Sequence, residues 1–423
     1  MQFYIKSLFF AIPTFVVLII FEAIAARLKG MAINRSADVI SSLSSGVTNT
    51  IRDGAKFSIA IISYSWLVDH MTVYKLEPVW LAVVFAFVVQ DFSGYWMHRL
   101  NHRVNIFWNR HIIHHSSEDF NLSCALRQSI SNTLQFAAIF MIPAALLGIP
   151  ASIFAILAPL HLFMQFWYHT QLIGKMGILE YIIVTPSHHR VHHAINPEYL
   201  DKNYSQILII WDKLFGTFQP ELDDVKPVYG TLKQMKTWNP VIINFKHMWH
   251  LLNDAWNTKR VFDKLRIWFM PTGWRPEDVK EKYPLQSITD PKKQKKYNTK
   301  NSPFLITWSW VQLAITNILM FHFFLIIPDF SVTMNYLYAG ILIVNIFSFT
   351  STLDQRNYAV AAEFVKLFLG FSLLYIQNYN WFGLTGVYVY GLILYFITSF
   401  LLTIYFRNER KISTSKPSPA YIS

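Results

Sequence analysis

Long apolar runs recur along this chain and set the solvent in which it must fold. Crossing roughly 30 Å of hydrocarbon takes about 20 mostly apolar residues in a helix. Candidate stretches run from Leu8 to Ala26, Lys56 to His70, Pro78 to Met97, Phe136 to Trp167, Phe304 to Ile327, Tyr336 to Thr350, Ala359 to Ile376 and Leu384 to Phe406. Lys56 to His70 meets the requirement least well. With 53% hydrophobic and only 15% charged residues, the chain lies far from a soluble composition. The predicted class is all-α: a polytopic, multi-pass membrane protein. The first run has only Lys6 ahead of it, contains Glu22 and is followed by no small-residue cleavage site, so a retained helix is expected.

A formal charge of +12 is distributed between the apolar runs and forms no compact basic domain, so no nucleic-acid partner is implied. The positive-inside rule accounts for it. Arg27, Lys29, Arg35, Arg52 and Lys56 mark one basic segment, Arg99 to Arg127 a second, Lys202 to Lys300 a third and Arg407 to Lys416 the tail. All fall on one side if Lys56 to His70 and Pro78 to Met97 form a hairpin, and if Phe136 to Trp167 breaks at Pro143, Gly148, Pro150 and Pro159 into a pair that dips in and returns. That side is expected to be the cytosol, of a bacterial inner membrane or of an endoplasmic reticulum.

Four regions follow from these patterns: an N-terminal membrane anchor over 1–75, a histidine-rich catalytic region over 76–218, a cytosolic polar segment over 219–302, and C-terminal transmembrane helices with a basic tail over 303–423. Seven prolines from Pro220 to Pro291 punctuate the polar segment. The run Lys292, Lys293, Lys295, Lys296 reads as a solvated linker beside anionic headgroups, with a specific lipid site as the alternative. No dinucleotide or phosphate-cradling glycine motif occurs, so reducing equivalents must come from an external donor. Nothing in the sequence sets an oligomeric state.

Histidines concentrate in HRLNH (His98, His102), HIIHH (His111, His114, His115) and HRVHH (His189, His192, His193), with His169 between the last two. Residues i and i+4 share a helix face, so His98 and His102 point two imidazoles at one site. The single cysteine, Cys124, leaves nitrogen and oxygen ligands. Imidazole suits zinc, copper, nickel and iron, and nine histidines exceed the needs of one tetrahedral ion, which implies two metals. His70, His247, His250 and His322 read as isolated, hydrogen-bonded structural residues.

Around the clusters, Asp91 lies in an apolar run, where a carboxylate is costly unless partnered. It is assigned either to a ligand imidazole, whose tautomer it would fix, or to a salt bridge with Arg99. Glu118 and Asp119 either orient imidazoles or bind a polar head, unless Ser116 and Asp119 merely cap a helix. Tyr95, Phe163, Phe166, Trp167 and Tyr168 are placed along a lipid tunnel between the runs at Pro78 to Met97 and Phe136 to Trp167. For the last four an interfacial aromatic belt is the competing reading.

These strings, together with DFSGYWMHR, NLSCALRQS, TPSHHRVHH and DKNYSQILIIWDKLFGTF, resemble the fatty acid hydroxylase and sterol desaturase superfamily over about Leu43 to Phe218. Within it the chain looks most like the alkylglycerol monooxygenases. The resemblance implies two iron ions, dioxygen as oxidant, a membrane lipid substrate, and tetrahydrobiopterin or another external reductant. It assigns the ligand role to His98, His102, His111, His114, His115, His189, His192 and His193, and to His169 as a further ligand. Gln165 stands where relatives often carry another histidine. Gln165, His188 and Asp212 are expected behind the ligands, with His188 open to a purely structural role. Arg103 stands where the resembled pattern has an acid. A fatty acid or sterol hydroxylase or desaturase, and a divalent-metal transporter or sensor, are the alternative functions. Transporters set their sites near mid-bilayer, whereas these histidines follow apolar runs and abut arginines.

Overall fold

Among the described residues, six helices are long and apolar enough to cross a bilayer: Ser7–Leu28, Val79–Arg103, Pro303–Asp329, Val332–Leu353, Ala359–Ile376 and Val387–Asn408. The structure, a computed structural model, describes residues 2–56 and 58–415, so Lys416 at the end of the expected basic tail lies outside them. Its longer helices are α1 (Gln2–Leu28), α2 (Ser36–Gly54), α3 (Tyr64–Met71), α4 (Val79–Arg103), α5 (Ala151–Phe166), α6 (Pro186–His192), α7 (Pro240–Asn257), α8 (Val261–Arg266), α9 (Pro303–Ile326), α10 (Val332–Leu353), α11 (Ala359–Ile376) and α12 (Val387–Ser415). Strand pairing among the described residues amounts to Ile59–Ala60 beside Leu134–Gln135. The fold is helical and multi-pass, as the apolar runs require.

Two elements differ from the sequence reading. Lys56 to His70 forms no spanning helix: Lys56 has a φ of 57°, and the chain then builds a two-residue strand and α3. Eight helical residues rise only about 12 Å. The helix missed is α2, whose serines and threonines read as polar. Ser41, Ser42, Ser44, Ser45 and Thr48 are nonetheless buried. Small hydroxyl residues let helices approach closely, and Ser42 and Thr48 donate to the carbonyls of Asp38 and Ser45 at 2.9 and 2.7 Å. Ile40, Val47 and Ile51 of α2 join Met320, Phe323, Leu342 and Phe349 of α9 and α10 in one apolar core. Gly54 lies against the Phe324 ring with no room for a Cβ. The N-terminal region and the C-terminal bundle therefore share a core.

The stretch Phe136 to Trp167 is broken around Pro143, Gly148 and Pro150, but Pro159, also expected to break it, lies inside the continuous helix α5. Ala137–Met141 and Ile142–Leu146 are followed by Gly148 at a φ of 60°, and α5 begins after Pro150. A Cβ on Gly148 would crowd the Tyr74 carbonyl and the Thr72 side chain.

Inside the C-terminal bundle, Lys366 and Glu363 are fully buried and 2.7 Å apart. The Lys366 ammonium also donates to Ser399 at 2.6 Å and Gln312 at 3.2 Å. Tyr395 donates to Asn345 at 2.6 Å, and Asn345 to Thr316 at 2.7 Å. This polar seam joins α9, α10, α11 and α12.

The polar segment folds into a cap over the end of α4. Asn239 caps α7 and donates to the Phe347 carbonyl and Ser351 hydroxyl, in the last turns of α10, at 2.9 and 3.0 Å. Beyond α4, the Asn105 and Ile106 amides donate to the carbonyls of Met270 and Trp268 at 3.0 and 2.9 Å. The lysine run is tied in too: Lys296 pairs with Asp119 at 2.7 Å.

Candidate metal centre

α4 ends on the first histidine pair, one turn apart. The short turns of 105–116 carry His111, His114 and His115 beneath the cap, His169 follows the end of α5, and α6 brings His189, His192 and His193. Pro186 opens α6, with Thr185 and His188 forming a reciprocal capping box. His188 therefore serves the helix start.

All nine histidines converge in two groups. His98, His102, His111, His115 and His192 form one, and His114, His169, His189 and His193 the other, with the ligating atoms of each group within 4.8 Å of one another. The nearest Nε2 pairs are His98 and His111 at 2.9 Å, His115 and His192 at 3.1 Å, His169 and His189 at 2.8 Å, His189 and His193 at 3.0 Å, His114 and His193 at 3.1 Å, and His114 and His169 at 3.3 Å. Imidazole nitrogens held roughly 2.1 Å from one ion lie about 3.0 Å apart at right angles and about 3.4 Å apart at tetrahedral angles. Most of these spacings match the right-angled case, the arrangement of a higher-coordinate ion.

Backbone carbonyls set the tautomers. Nδ1 of His98, His192 and His169 donates to the carbonyls of Tyr204, Lys202 and Gln165 at 2.7, 2.9 and 2.9 Å, and His114 Nδ1 lies 3.3 Å from the Arg127 carbonyl. Each Nε2 then presents its lone pair to the site. His114 and His169, both with Nδ1 committed, face each other with two lone pairs, an arrangement that a cation relieves. Burial, and after it mainly the neighbouring imidazoles, hold His111, His115, His189 and His193 well below the ordinary histidine range. Burial is also the leading cause at His114 and His192, and it pushes His169 down to about 3 despite the hydrogen bonds from its neighbourhood. The imidazoles are thus neutral ligands. Their type, number and spacing fit two metal ions.

The carboxylates act one step further out. Asp212 accepts from the amides of Tyr204 and Ser205, both at 2.8 Å, and from the Thr217 hydroxyl at 2.6 Å, so it shapes the loop whose carbonyl holds His98. Asp91 meets neither a ligand imidazole nor Arg99. It accepts from the amides of Ile207 and Leu208 and the Trp211 indole at 3.0, 3.0 and 2.9 Å, and contacts His161 at 3.1 Å. Arg99 instead donates to the Tyr95 hydroxyl. His161 escaped the sequence reading, although it stands at helical spacing with Gln165 and His169; its Nδ1 lies 2.9 Å from Gln165 Nε2. Glu118 and Asp119 turn away from the imidazoles and cap no helix. Glu118 accepts from Gln234 and the Tyr297 amide, and Asp119 from Arg35 at 2.8 Å and Lys296.

The five aromatic residues assigned to a tunnel do not gather around one space. Tyr95 is buried against Thr217, Phe163 is 47% exposed, Phe166 packs on Phe15, and Tyr168 lies over His189 with Trp167 beside it. Tyr95 stands on α4, Phe163 and Phe166 on α5, and Trp167 and Tyr168 beyond the end of α5. A cavity of about 650 Å³ lies elsewhere, between the five-histidine group and the cap, with His102, His115 and His192 in its floor and Trp108, Leu232, Leu251 and Trp274 among its walls. Arg103 is exposed near its rim and pairs with Asp201 at 2.7 Å.

A fatty acid hydroxylase family model matches residues 83–217. Human alkylglycerol monooxygenase is 35% identical over 379 residues, covering 88% of this chain and 82% of the human protein. The Xenopus tropicalis alkylglycerol monooxygenase is 34% identical over 372 residues, 87% of this chain and 81% of that protein. An ornithine lipid hydroxylase of Rhizobium tropici is 33% identical over 141 residues, 33% of this chain and 43% of that protein. No solved structure matches. The chain belongs to the alkylglycerol monooxygenase family, and it is a membrane-embedded lipid oxidoreductase of the fatty acid hydroxylase type.

Proposed function

We propose that this chain is a di-iron monooxygenase that cleaves the ether bond of alkylglycerols at the cytosolic face, with dioxygen and a reduced pterin from outside the chain. The observation that carries the reading is the convergence of the nine histidines into two groups, the ligating atoms of each within 4.8 Å of one another, in a chain most of whose length resembles alkylglycerol monooxygenases. Iron pairs of this kind, when bound, supply the activation of dioxygen needed to attack an unactivated C–H bond. The chain's own residues supply the rest. Main-chain carbonyls fix the imidazoles, and Phe120 and Tyr168 wall the four-histidine group against water. The bound lipid is positioned so that the carbon beside the ether oxygen is hydroxylated. The resulting hemiacetal collapses to a fatty aldehyde and glycerol. Arg35 pairs with Asp119 just beyond the second histidine string, and the Lys202 carbonyl holds His192, so basic residues stand beside the site and support a cytosolic one.

Two measurements test this. Metal analysis of the purified protein should find about two irons per chain, falling towards one in His192→Ala, from the five-histidine group, and in His193→Ala, from the other. One zinc and no iron would overturn the centre. Membranes given alkylglycerol should release aldehyde only with a reduced pterin; release supported equally by a ferredoxin or cytochrome system alone would reassign the donor.

A further inference from the structure

α7 is two-faced. His247, His250, Leu251 and Asp254 line the cavity beside the five-histidine group, while Phe245, Trp249, Leu252 and Trp256 form an outward stripe at helical spacing, with Trp249 63% and Trp256 83% exposed. α8 extends the stripe through Phe262, 68% exposed, and Leu265, and Phe269 follows. Lys259 and Arg260, both exposed, stand between the two helices. Contiguous apolar surface of this kind is rare on a face that meets water, and tryptophan and phenylalanine edged by basic residues suit the headgroup boundary of a bilayer. The helices also lie at the right height: α7 starts on the last turns of α10, and the segment after α8 is pinned to the end of α4. Both α4 and α10 are candidate spans. The lipid-facing surface of the bundle thus continues onto α7 and α8.

Behind this surface, Lys233, His250 and Thr272 are among the residues that line the cavity, and Lys233 Nζ, His250 Nε2 and Thr272 Oγ1 are buried without a partner among the described residues. A buried polar group left unmet is costly, so the three are candidates to meet the oxygen atoms of a ligand. Beside them stand Trp108, Leu251 and Trp274, an apolar wall for a chain. Hydrogen-bonding groups at one side and hydrocarbon-like walls at the other describe an amphiphile.

We propose that α7 and α8 lie in the headgroup layer and admit the lipid substrate from the bilayer surface into this cavity, where Lys233, His250 and Thr272 take its polar head. The proposal rests on the reading of the chain as a lipid oxidoreductase and deepens it. The test uses the full chain in vesicles of phosphatidylcholine and phosphatidylglycerol. Since Cys124 is the single cysteine and is buried, an environment-sensitive fluorophore can be placed at Trp256→Cys, at Phe262→Cys and, as a control on the exposed outer cap, at Glu277→Cys. The first two labels are expected to be quenched by lipids carrying a headgroup-proximal nitroxide and protected from aqueous iodide; the third should behave oppositely. In the same vesicles, Lys233→Met and Thr272→Val should each raise the KM for alkylglycerol about fivefold, the loss of one hydrogen bond, with the reductant dependence unchanged. Iodide quenching at positions 256 and 262 overturns the proposal. So do two variants that bind alkylglycerol normally, or that shift the reductant dependence instead, which would make the cavity a donor site. If the oxidoreductase reading fails, the unaltered protein releases no aldehyde. The labels then still report the surface, and retention of alkylglycerol by the purified variants still reports the cavity.

Discussion

Asp212 never touches a ligand, yet two of its hydrogen bonds hold the loop that offers the Tyr204 carbonyl to His98. Outer partners of this sort commonly change metal affinity by about 10- to 100-fold when lost. Asp212→Asn is accordingly expected to weaken metal retention at the five-histidine group about tenfold, measured as iron remaining after dialysis against a chelator; unchanged retention would release Asp212 from this role. A second prediction concerns the cap. Burial pushes His247 down to about 4, with its ring nitrogen on the Asn105 carbonyl. The unfolded chain takes up this proton first, so the cap loses stability as pH falls from about 6.5 towards 4. His247→Gln, which keeps a donor for the carbonyl, should move the acid transition of tryptophan fluorescence to lower pH, whereas an unmoved transition would assign it to other groups. His98 with His102, and His189 with His192, were legible because i+4 and i+3 spacing brings side chains onto one helix face, whereas His111, His114 and His115 reach the site from turns and His169 from beyond the end of α5, positions only the clustering and the resemblance pointed to. The partners of Asp91 were not, since nothing local in the sequence shows that the turn at Ile207 to Trp211 folds back onto α4.

At the scale of elements, hydropathy located every helix whose packing is apolar all round and missed the one that packs through small polar residues. α2 is buried along its small hydroxyl residues: Ser42 bonds the Asp38 carbonyl of its own helix, Ser45 bonds the distant Gln128 carbonyl, and Ser41 and Ser44 are buried with no hydrogen-bond partner among the described residues, so that burial is a tertiary fact. Gly54 tests the fit of α2 against α9: Gly54→Val drives a Cβ into Phe324 and should cost about 1–3 kcal/mol, as overpacking does. Phe324→Ala should restore part of the loss in the double variant, a coupling that thermal denaturation in detergent can read. Lys56 to His70 illustrates the opposite error. Its composition allowed a span, but Gly54 ends the preceding helix and α3 stops after eight residues. Likewise, the composition of 219–302 showed a polar segment but neither that it folds into a cap nor that α7 and α8 turn an apolar stripe outward, because the stripe emerges only once their boundaries are fixed.

For the molecule as a whole, the catalytic region and the C-terminal bundle are joined through α2 and the cap, so damage deep in the bundle reaches the metal centre through folding and not through chemistry. Lys366→Met leaves Glu363 buried without its cation, and breaking a buried pair typically costs about 3–5 kcal/mol. The prediction is a large fall in thermal stability with metal content per folded chain unchanged, and recovery in Lys366→Met/Glu363→Gln, which removes both charges. No recovery would mean that Lys366 works through Ser399 and Gln312 more than through Glu363. The same seam sets an order for making the protein. α11 enters the membrane before α12 exists, carrying two charges whose further partner, Ser399, is still to be synthesised. A nascent chain that stops short of residue 399 therefore leaves an uncompleted polar cluster facing lipid, a chemical mark that distinguishes an unfinished copy from a finished one.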